Sequence, residues 1–356
     1  MVGMDTYFKK TLDNRKKNGL YRQLKKYSDL TDFSSNDYLG IAKKNASGAT
    51  GSRLISGNYN ELESLENDFA NLLSAPSALY FGAGYLANIG LIPTVTDRFS
   101  TIFSDELIHA SLIDGIRLSY AKRLTFKHND LIHLEKLLQK TEGRKIIVVE
   151  TVYSMDGDSA DLHTLFKIAA NYKDTYVIID EAHGLGISGK NNLGMAQKFI
   201  THPSCLAIVY PLGKAAGLSG AFIVGSKLLK DYLINFSRPF IYSTGPSKFL
   251  ILALKNQLNE LTEKDISTLK MLKAHFVNLI DKKYNVLSGE LGAIVSIVTK
   301  EKSKFLEKQL LSNNLFVKAI LSPTVPKGQE RLRICFHDYN SFEEVDQLIK
   351  ILNTSI

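Results

Sequence analysis

Cysteine is nearly missing from this chain: Cys205 and Cys335 are the only two in 356 residues. That excludes a disulfide framework and a four-cysteine metal site, and two free thiols in a reducing compartment are expected. No stretch approaches the ~18 consecutive apolar residues of a membrane span. The start, Met1-Val2-Gly3-Met4-Asp5, lacks the apolar stretch of a signal peptide. A cytoplasmic location without membrane attachment is the expectation. The eight histidines include no His-Glu-x-x-His pair and no clustered Cys/His ligands, so no metal is expected, and His128, His163, His202 and His275 read as surface or packing residues. No low-complexity tract or internal repeat stands out.

The chain carries a net charge of +8. The lysine pairs Lys9-Lys10, Lys16-Lys17 and Lys25-Lys26 are expected on the solvated face of an N-terminal helix rather than on nucleic acid. Asp180-Glu181-Ala182-His183 spells the acidic box of some helicases. The phosphate loop that should accompany it is missing, since Gly213-Lys214 is followed by Ala215 and Ile208 stands at the first glycine position. Gly82-Ala83-Gly84-Tyr85-Leu86-Ala87 matches a dinucleotide fingerprint, but Asp105, the acid at a tolerable spacing, reads as part of a loop entering a helix. These glycines fit better as backbone approaching a phosphate at a helix N-terminus.

With 44% apolar and 22% charged residues, the chain reads as globular and long enough for roughly two domains of about 150 residues. Short β-rich runs alternate with amphipathic stretches, as in Ile146–Val149, Tyr176–Ile179, Leu206–Val209 and Ala221–Val224. Continuous apolar strands imply a mostly parallel α/β sheet, with binding residues at the strands' carboxyl ends. A helix is expected from Asn60, with Asn60 and Glu63 as a capping pair and Leu62, Leu65, Phe69 and Leu72 on one core-facing stripe. The expected organisation is an N-terminal segment over 1–35, a large domain over 36–250, a connecting helix over 251–283 and a small α/β domain over 284–356.

Two positions suggest the chemistry. Lys214 sits in the glycine-rich loop Pro211-Leu212-Gly213-Lys214-Ala215-Ala216-Gly217, and Asp180 ends an apolar strand. A lysine amine condenses reversibly with an aldehyde, and a carboxylate keeps a pyridine nitrogen protonated so that the ring accepts carbanion electrons. Together they suggest pyridoxal 5'-phosphate (PLP).

A series of motifs runs in order along nearly the whole chain: Phe33-Ser34-Ser35-Asn36-Asp37-Tyr38-Leu39-Gly40, Gly51 to Asn58, Ser104 to Ser111, Ser154-Met155-Asp156-Gly157-Asp158, the Lys214 loop, Tyr242-Ser243-Thr244 and Thr324 to Arg333. In these the chain resembles the α-oxoamine synthases, PLP-dependent transferases of fold type I that condense an amino acid with an acyl thioester. It is most like the branch that joins L-alanine to a pimeloyl thioester in biotin synthesis. The resemblance implies that Lys214 holds the cofactor, Asp180 pairs with the pyridinium, His109 stacks on the ring, and His183 and Ser154 contact its phenolic oxygen. It further implies that the backbone at Gly84 and Tyr85 binds the phosphate, with Thr244 reaching in from the other subunit of a homodimer. Arg333 would grip the substrate carboxylate, and Asn36 and Arg22 would lie near the substrate. Lys214, His109, Asp180 and His183 are thus the expected catalytic set.

Three positions depart from the family's pattern: Leu62 replaces a histidine, Ile108 an asparagine, and Pro211 a hydroxyl residue that binds phosphate. Leu62 is expected to pack, and Pro211, with neither hydroxyl nor N–H, to weaken cofactor binding. Two alternatives stay open, a glycine-using member of the family and a PLP-binding relative without turnover.

Overall fold

A computed structural model of the chain describes residues 3–26, 34–36 and 48–355. Phe33 and Asp37–Gly40 of the first family motif lie outside the described residues. The chain divides into two compact units, Met1–Thr151 with Asp161–Thr262, and Val152–Ala160 with Glu263–Ile356. The stretch Val152–Ala160, inside the 36–250 range, therefore groups with the second unit.

In the first unit, α1 (Met4–Lys17) buries Met4, Phe8 and Leu12 at helical spacing and leaves Lys9, Lys10, Lys16 and Lys17 exposed. Lys25 and Lys26 are exposed too, but they follow the helix rather than belong to it. Helix α2 (Asn60–Leu72) starts at Tyr59 without a side-chain cap. Asn60 does not pair with Glu63, because Glu63 accepts from Asn58 Nδ2 at 2.7 Å. Leu62, Leu65 and Phe69 are buried as expected, whereas Leu72 is 36% exposed at the end of the stripe.

Then follow β1 (Ser77–Phe81), α3 (Gly84–Val95), β2 (Ser100–Asp105), α4 (Ala110–Arg117), β3 (Lys122–Phe126), α5 (Leu131–Gln139), β4 (Arg144–Glu150), α6 (Leu162–Asn171), β5 (Thr175–Asp180), β6 (Cys205–Pro211) and β7 (Ala221–Gly225). Helices α7 (Lys227–Phe236), α8 (Arg238–Ile241) and α9 (Lys248–Glu263) complete this part of the chain.

The seven strands form one sheet in the order β1-β7-β6-β5-β4-β2-β3. Strands β3, β2, β4, β5 and β6 are parallel neighbours, while β7 runs antiparallel to both β6 and β1. Six of the seven therefore point the same way. The inner strands are buried on both faces, as their continuous Ile and Val runs dictate. Edge strand β3 instead exposes Lys122, Arg123 and Thr125, which discourages pairing with another sheet. Shared direction brings the carboxyl ends of β1, β2, β4, β5 and β6 to one edge, and in-register pairing sets Glu150 opposite Asp180. Asp105 ends β2 rather than lying in a loop. Its carboxylate is occupied by the backbone amides of Leu107 and Asn129 and by His128 Nδ1.

The range 251–283, expected as one connecting helix, holds most of α9 and a second helix, α10 (Ser267–Leu279). The second unit continues with β8 (Asn285–Leu287), β9 (Ile294–Val298), α11 (Ser303–Ser312), β10 (Lys318–Ile320), β11 (Arg331–Cys335) and α12 (Phe342–Thr354). Its four strands pair antiparallel in the order β10-β11-β9-β8. The Val152–Ala160 segment packs on this sheet. Ser296 Oγ donates to Met155 O at 2.6 Å, and a side chain on Gly157, at φ +75°, would meet Ile294 O at 2.5 Å. Both cysteines are free thiols.

Candidate active site

The carboxyl edge of the large sheet gathers an unusual density of buried polar side chains. Asp180 ends β5 at 3% exposure. One of its carboxylate oxygens accepts from the Ala182 amide at 2.8 Å and the other from Asn88 Nδ2 at 2.8 Å. The same Asn88 nitrogen donates to Ser111 Oγ at 2.9 Å, and Ser111 Oγ lies 2.8 Å from His109 Nδ1. His109 is the N-cap of α4, its Nδ1 accepting from the Ser111 amide at 3.1 Å. An acceptor Nδ1 places the proton of the neutral ring on Nε2. Burial holds this imidazole below its usual range; Asp180 pulls it up and Lys214 pushes it down.

Lys214 lies exposed in the turn after β6, closed by the Gly217 amide on Lys214 O at 3.0 Å and by Leu218 N on Leu212 O at 3.2 Å. Gly217 takes φ +64° there, a conformation that favours glycine. The lysine's charge is felt at both His109 and Glu150. Glu150 ends β4 at 1% exposure and accepts the His109 backbone N–H. Burial, reinforced by the neighbouring Asp180 charge, pushes its carboxyl well above the usual range. Glu150 and Asp180 thus stand in register on adjacent strands, and the Glu150 carboxyl is the one that burial and its neighbour push up.

Helix α3 begins at this edge with Ala83 extended and no side-chain cap. Within the helix the first backbone bond runs from Ala87 N to Ala83 O, so the amides of Gly84, Tyr85 and Leu86 have no intrahelical acceptor. A Cβ on Gly84 would stand 2.8 Å from the Pro211 ring, so Pro211 is beside this helix start. An uncapped helix N-terminus, a lysine on a glycine-rich turn, a buried carboxylate and a neutral imidazole together fit a group with a phosphate, an aldehyde and a protonated ring nitrogen.

The remaining expected residues fall in two other places. Arg22, Asn36 and Thr244 line a cavity of about 610 Å³ whose walls include neither Lys214, His109 nor Asp180. Thr244 forms an antiparallel bridge with Ser52, and the next amide, Gly245 N, donates to Gly51 O at 2.9 Å. Arg22 Nη1 donates to Asn235 O at 2.7 Å, so part of its guanidinium fastens its own segment to α7. Tyr85 is exposed and its hydroxyl donates to Asp114. His183 is half-buried in the turn after β5. In the second unit, Arg333 Nε donates to Ser154 O at 2.5 Å, which joins two expected site residues, and Arg331 pairs with Asp156.

Sequence reasoning missed Asn88, Glu150 and Glu181. Asn88 is the one side-chain amide within the otherwise apolar start of α3, and Glu150 closes the Ile146–Val149 run. Glu181 is fully buried; its Oε1 accepts from Ala196 N at 2.5 Å, and burial pushes its carboxyl up to about 8. Leu62 and Ile108 are buried, in keeping with packing roles.

The profile of the aminotransferase class I and II family matches residues 28–352. The chain belongs to that family. Within the class I and II aminotransferases, it is 35% identical to the 8-amino-7-oxononanoate synthase of Lysinibacillus sphaericus, over 97% of each chain. The solved 8-amino-7-oxononanoate synthase of Francisella tularensis superposes with a TM-score of 0.76 at 31% identity, over 92% of this chain and 98% of that one. Sphingomonas wittichii serine palmitoyltransferase gives a TM-score of 0.78 at 26% identity, over 88% and 82%. The resemblance to α-oxoamine synthases and the α/β fold of a class I and II aminotransferase are both borne out by these likenesses.

Proposed function

We propose that the chain catalyses the decarboxylative condensation of L-alanine with a pimeloyl thioester, on coenzyme A or a carrier protein, to give 8-amino-7-oxononanoate. The observation that carries this reading is the buried Asp180 carboxylate, held by Asn88 and Ala182 beside His109 and Lys214, in a chain similar over nearly its full length to proteins of that name.

PLP, when bound, supplies an electron sink for the carbon next to the amine. Asp180 holds the proton on the ring nitrogen, since an ionised carboxylate favours its cationic partner. His109, with its imidazole held below its usual range, would cover the ring, while His183 and Ser154 would hold its phenolic oxygen. The amides of Gly84 and Tyr85 would bind the phosphate, with Thr244 donated by the second subunit of a homodimer. Lys214 anchors the aldehyde at rest. Its amine, when not holding the aldehyde, would be the group placed to take a proton from the alanine Cα and to return one. Arg333 would clamp the amino-acid carboxylate that is lost as carbon dioxide, and Asn36 and Arg22 would lie near the substrate. No described helix is long and apolar enough to cross a membrane, which suits water-borne substrates and a cytoplasmic location.

The test is to load the protein with PLP, titrate it with L-alanine or glycine while following the visible band, and then add pimeloyl-CoA and assay thiol release. A saturable response to alanine followed by thiol release is expected. Preference for glycine with acetyl-CoA would move the assignment to a glycine-using member. A response to amino acids with no thiol release from any acyl-CoA would leave a binding protein without turnover.

A further inference from the structure

We propose that Asn88 is a positioning residue, whose single side-chain nitrogen fixes the Asp180 carboxylate and, through Ser111, the His109 ring as one unit. The proposal rests on the PLP reading for its purpose, although the coupling itself is a property of the chain alone.

Four side chains from three elements meet in sequence. Asn88 Nδ2 reaches Asp180 at 2.8 Å and Ser111 Oγ at 2.9 Å, and Ser111 Oγ reaches His109 Nδ1 at 2.8 Å. Both N–H groups of the amide are thereby used. Its oxygen, Oδ1, is buried with no hydrogen-bond partner among the described residues. Turning the amide over would give that oxygen a donor at Ser111 but set it against the Asp180 carboxylate, so the charge of Asp180 determines its orientation. With Asn88 donating to Ser111 Oγ, the hydroxyl proton points to His109 Nδ1 and adds to the Ser111 amide already donating there, so the two together favour the Nε2–H tautomer.

Helix packing is built to permit this. A Cβ on Gly115 of α4 would stand 2.9 Å from the Asn88 carbonyl, so glycine lets α4 approach α3 closely enough for the Asn88–Ser111 bond. Asn88 and Ser111 are each 1% exposed, which removes competing water and strengthens the chain. The charged groups facing the unit are Asp180 and Lys214 at the ring, and Glu150, which takes the His109 backbone N–H and senses Asp180. Glu181, next in the chain, also senses Asp180. Each of these is kept in the variants below.

The coupling is read first without cofactor, by the nitrogen shifts of His109 in labelled protein across pH. Wild type is expected to show a single Nε2–H tautomer. Ser111→Ala removes the hydroxyl donor but keeps the backbone amide on Nδ1, so it should weaken that preference without abolishing it, while leaving Asp180 held. Asn88→Leu should both mix the tautomers and weaken PLP retention about ten- to a hundredfold, the scale of one hydrogen bond to a charged group. Asn88→Asp should place a second carboxyl against Asp180, so that cofactor retention gains a new inflection with pH as the pair shares a proton. A His109 tautomer unchanged in both Asn88→Leu and Ser111→Ala overturns the proposal. Should Asn88→Leu not fold, Ser111→Ala and Asn88→Asp still decide it, because a merely structural role moves neither tautomer nor pH profile. Wild-type protein that shows the coupling but takes up no PLP would instead remove the functional reading.

Discussion

The Asp180 cluster and the Arg22–Asn36–Thr244 cavity belong to the same unit but are built in opposite ways. Asp180, Glu150, Asn88 and Ser111 are all at most 3% exposed and are tied to one another or to backbone amides. The cavity opens among exposed groups, with Ile55 51% and Tyr242 68% exposed beside Asn36 and Thr244. The first region is preorganised by one chain, as groups must be when a charge on a cofactor depends on their placement. The second leaves apolar and polar side chains exposed together, which the proposed homodimer would cover. The proposed homodimer, in which Thr244 serves the neighbouring site, joins the two designs.

The largest test of that contrast removes the lysine from the closed region. Lys214→Ala should lose turnover by about 10³-fold or more, because both the anchor and the proton acceptor go. The visible band of the lysine-bound cofactor should vanish while free PLP is still taken up. Full activity would sink the assignment.

Subunit mixing probes the open region. Thr244→Glu sets a carboxylate where phosphate is to bind, and it should be inactive alone, as should Lys214→Ala. If Thr244 acts across a dimer, refolding the two together at equal amounts gives hybrids with one intact site, and about a quarter of wild-type activity returns. If it acts within its own chain, nothing returns. The homodimer reading stands or falls on that difference.

A smaller effect distinguishes the closed region by its pH response. Glu181 is raised from 4.5 to about 8, first by burial and slightly by Asp180. Thr151 lies near enough to pull the carboxyl back down in part, although Oε2 has no hydrogen-bond partner within ordinary distance among the described residues. Because the folded protein holds this proton more tightly than the unfolded chain, the group's contribution is complete below pH 4.5. It declines as pH rises toward 8, by at most about 1.4 kcal/mol per pH unit. Denaturant melts across pH 5–9 should show the decline in wild type and a flatter profile in Glu181→Gln.

What could be read from residues alone follows the same division. Lys214 and Asp180 stand out from their neighbours, glycines around the lysine and an apolar strand before the acid, whereas His109 is singled out only by the family resemblance. Strand runs were legible for a related reason, since burial on both faces leaves no polar alternation to confuse. Asn88 was hidden, because a lone amide in an apolar helix has no local signature and its partners come from β5 and α4. Glu150 was hidden by its position one residue past a run already read as a strand. Local rules failed where tertiary contacts outbid them: Glu63 takes Asn58 rather than capping with Asn60, and Leu72 continues the helical spacing to a point where the core has ended. Asp105 was misread as loop because a polar strand end resembles a turn until its β-pairing is seen.

The smallest effect asks whether the closed region is also closed at its phosphate end. There the uncapped amides of α3 stand beside Pro211, where the family resemblance leads to the expectation of a hydroxyl residue. Pro211→Ser restores a donor to the phosphate, and one such bond contributes about 0.5–1.5 kcal/mol. Against it stand the lost contact of the ring with the Gly84 backbone, tight enough that a Cβ there would be 2.8 Å away, and a new N–H at the end of β6 that needs an acceptor. The gain should therefore be only a few-fold in PLP retention, measured as the dissociation constant from the visible band after dialysis. No gain would mean that the helix amides already satisfy the phosphate without help. A gain approaching tenfold would mean that this chain carries a loosened phosphate grip while keeping the Asp180–Asn88–Ser111–His109 unit intact.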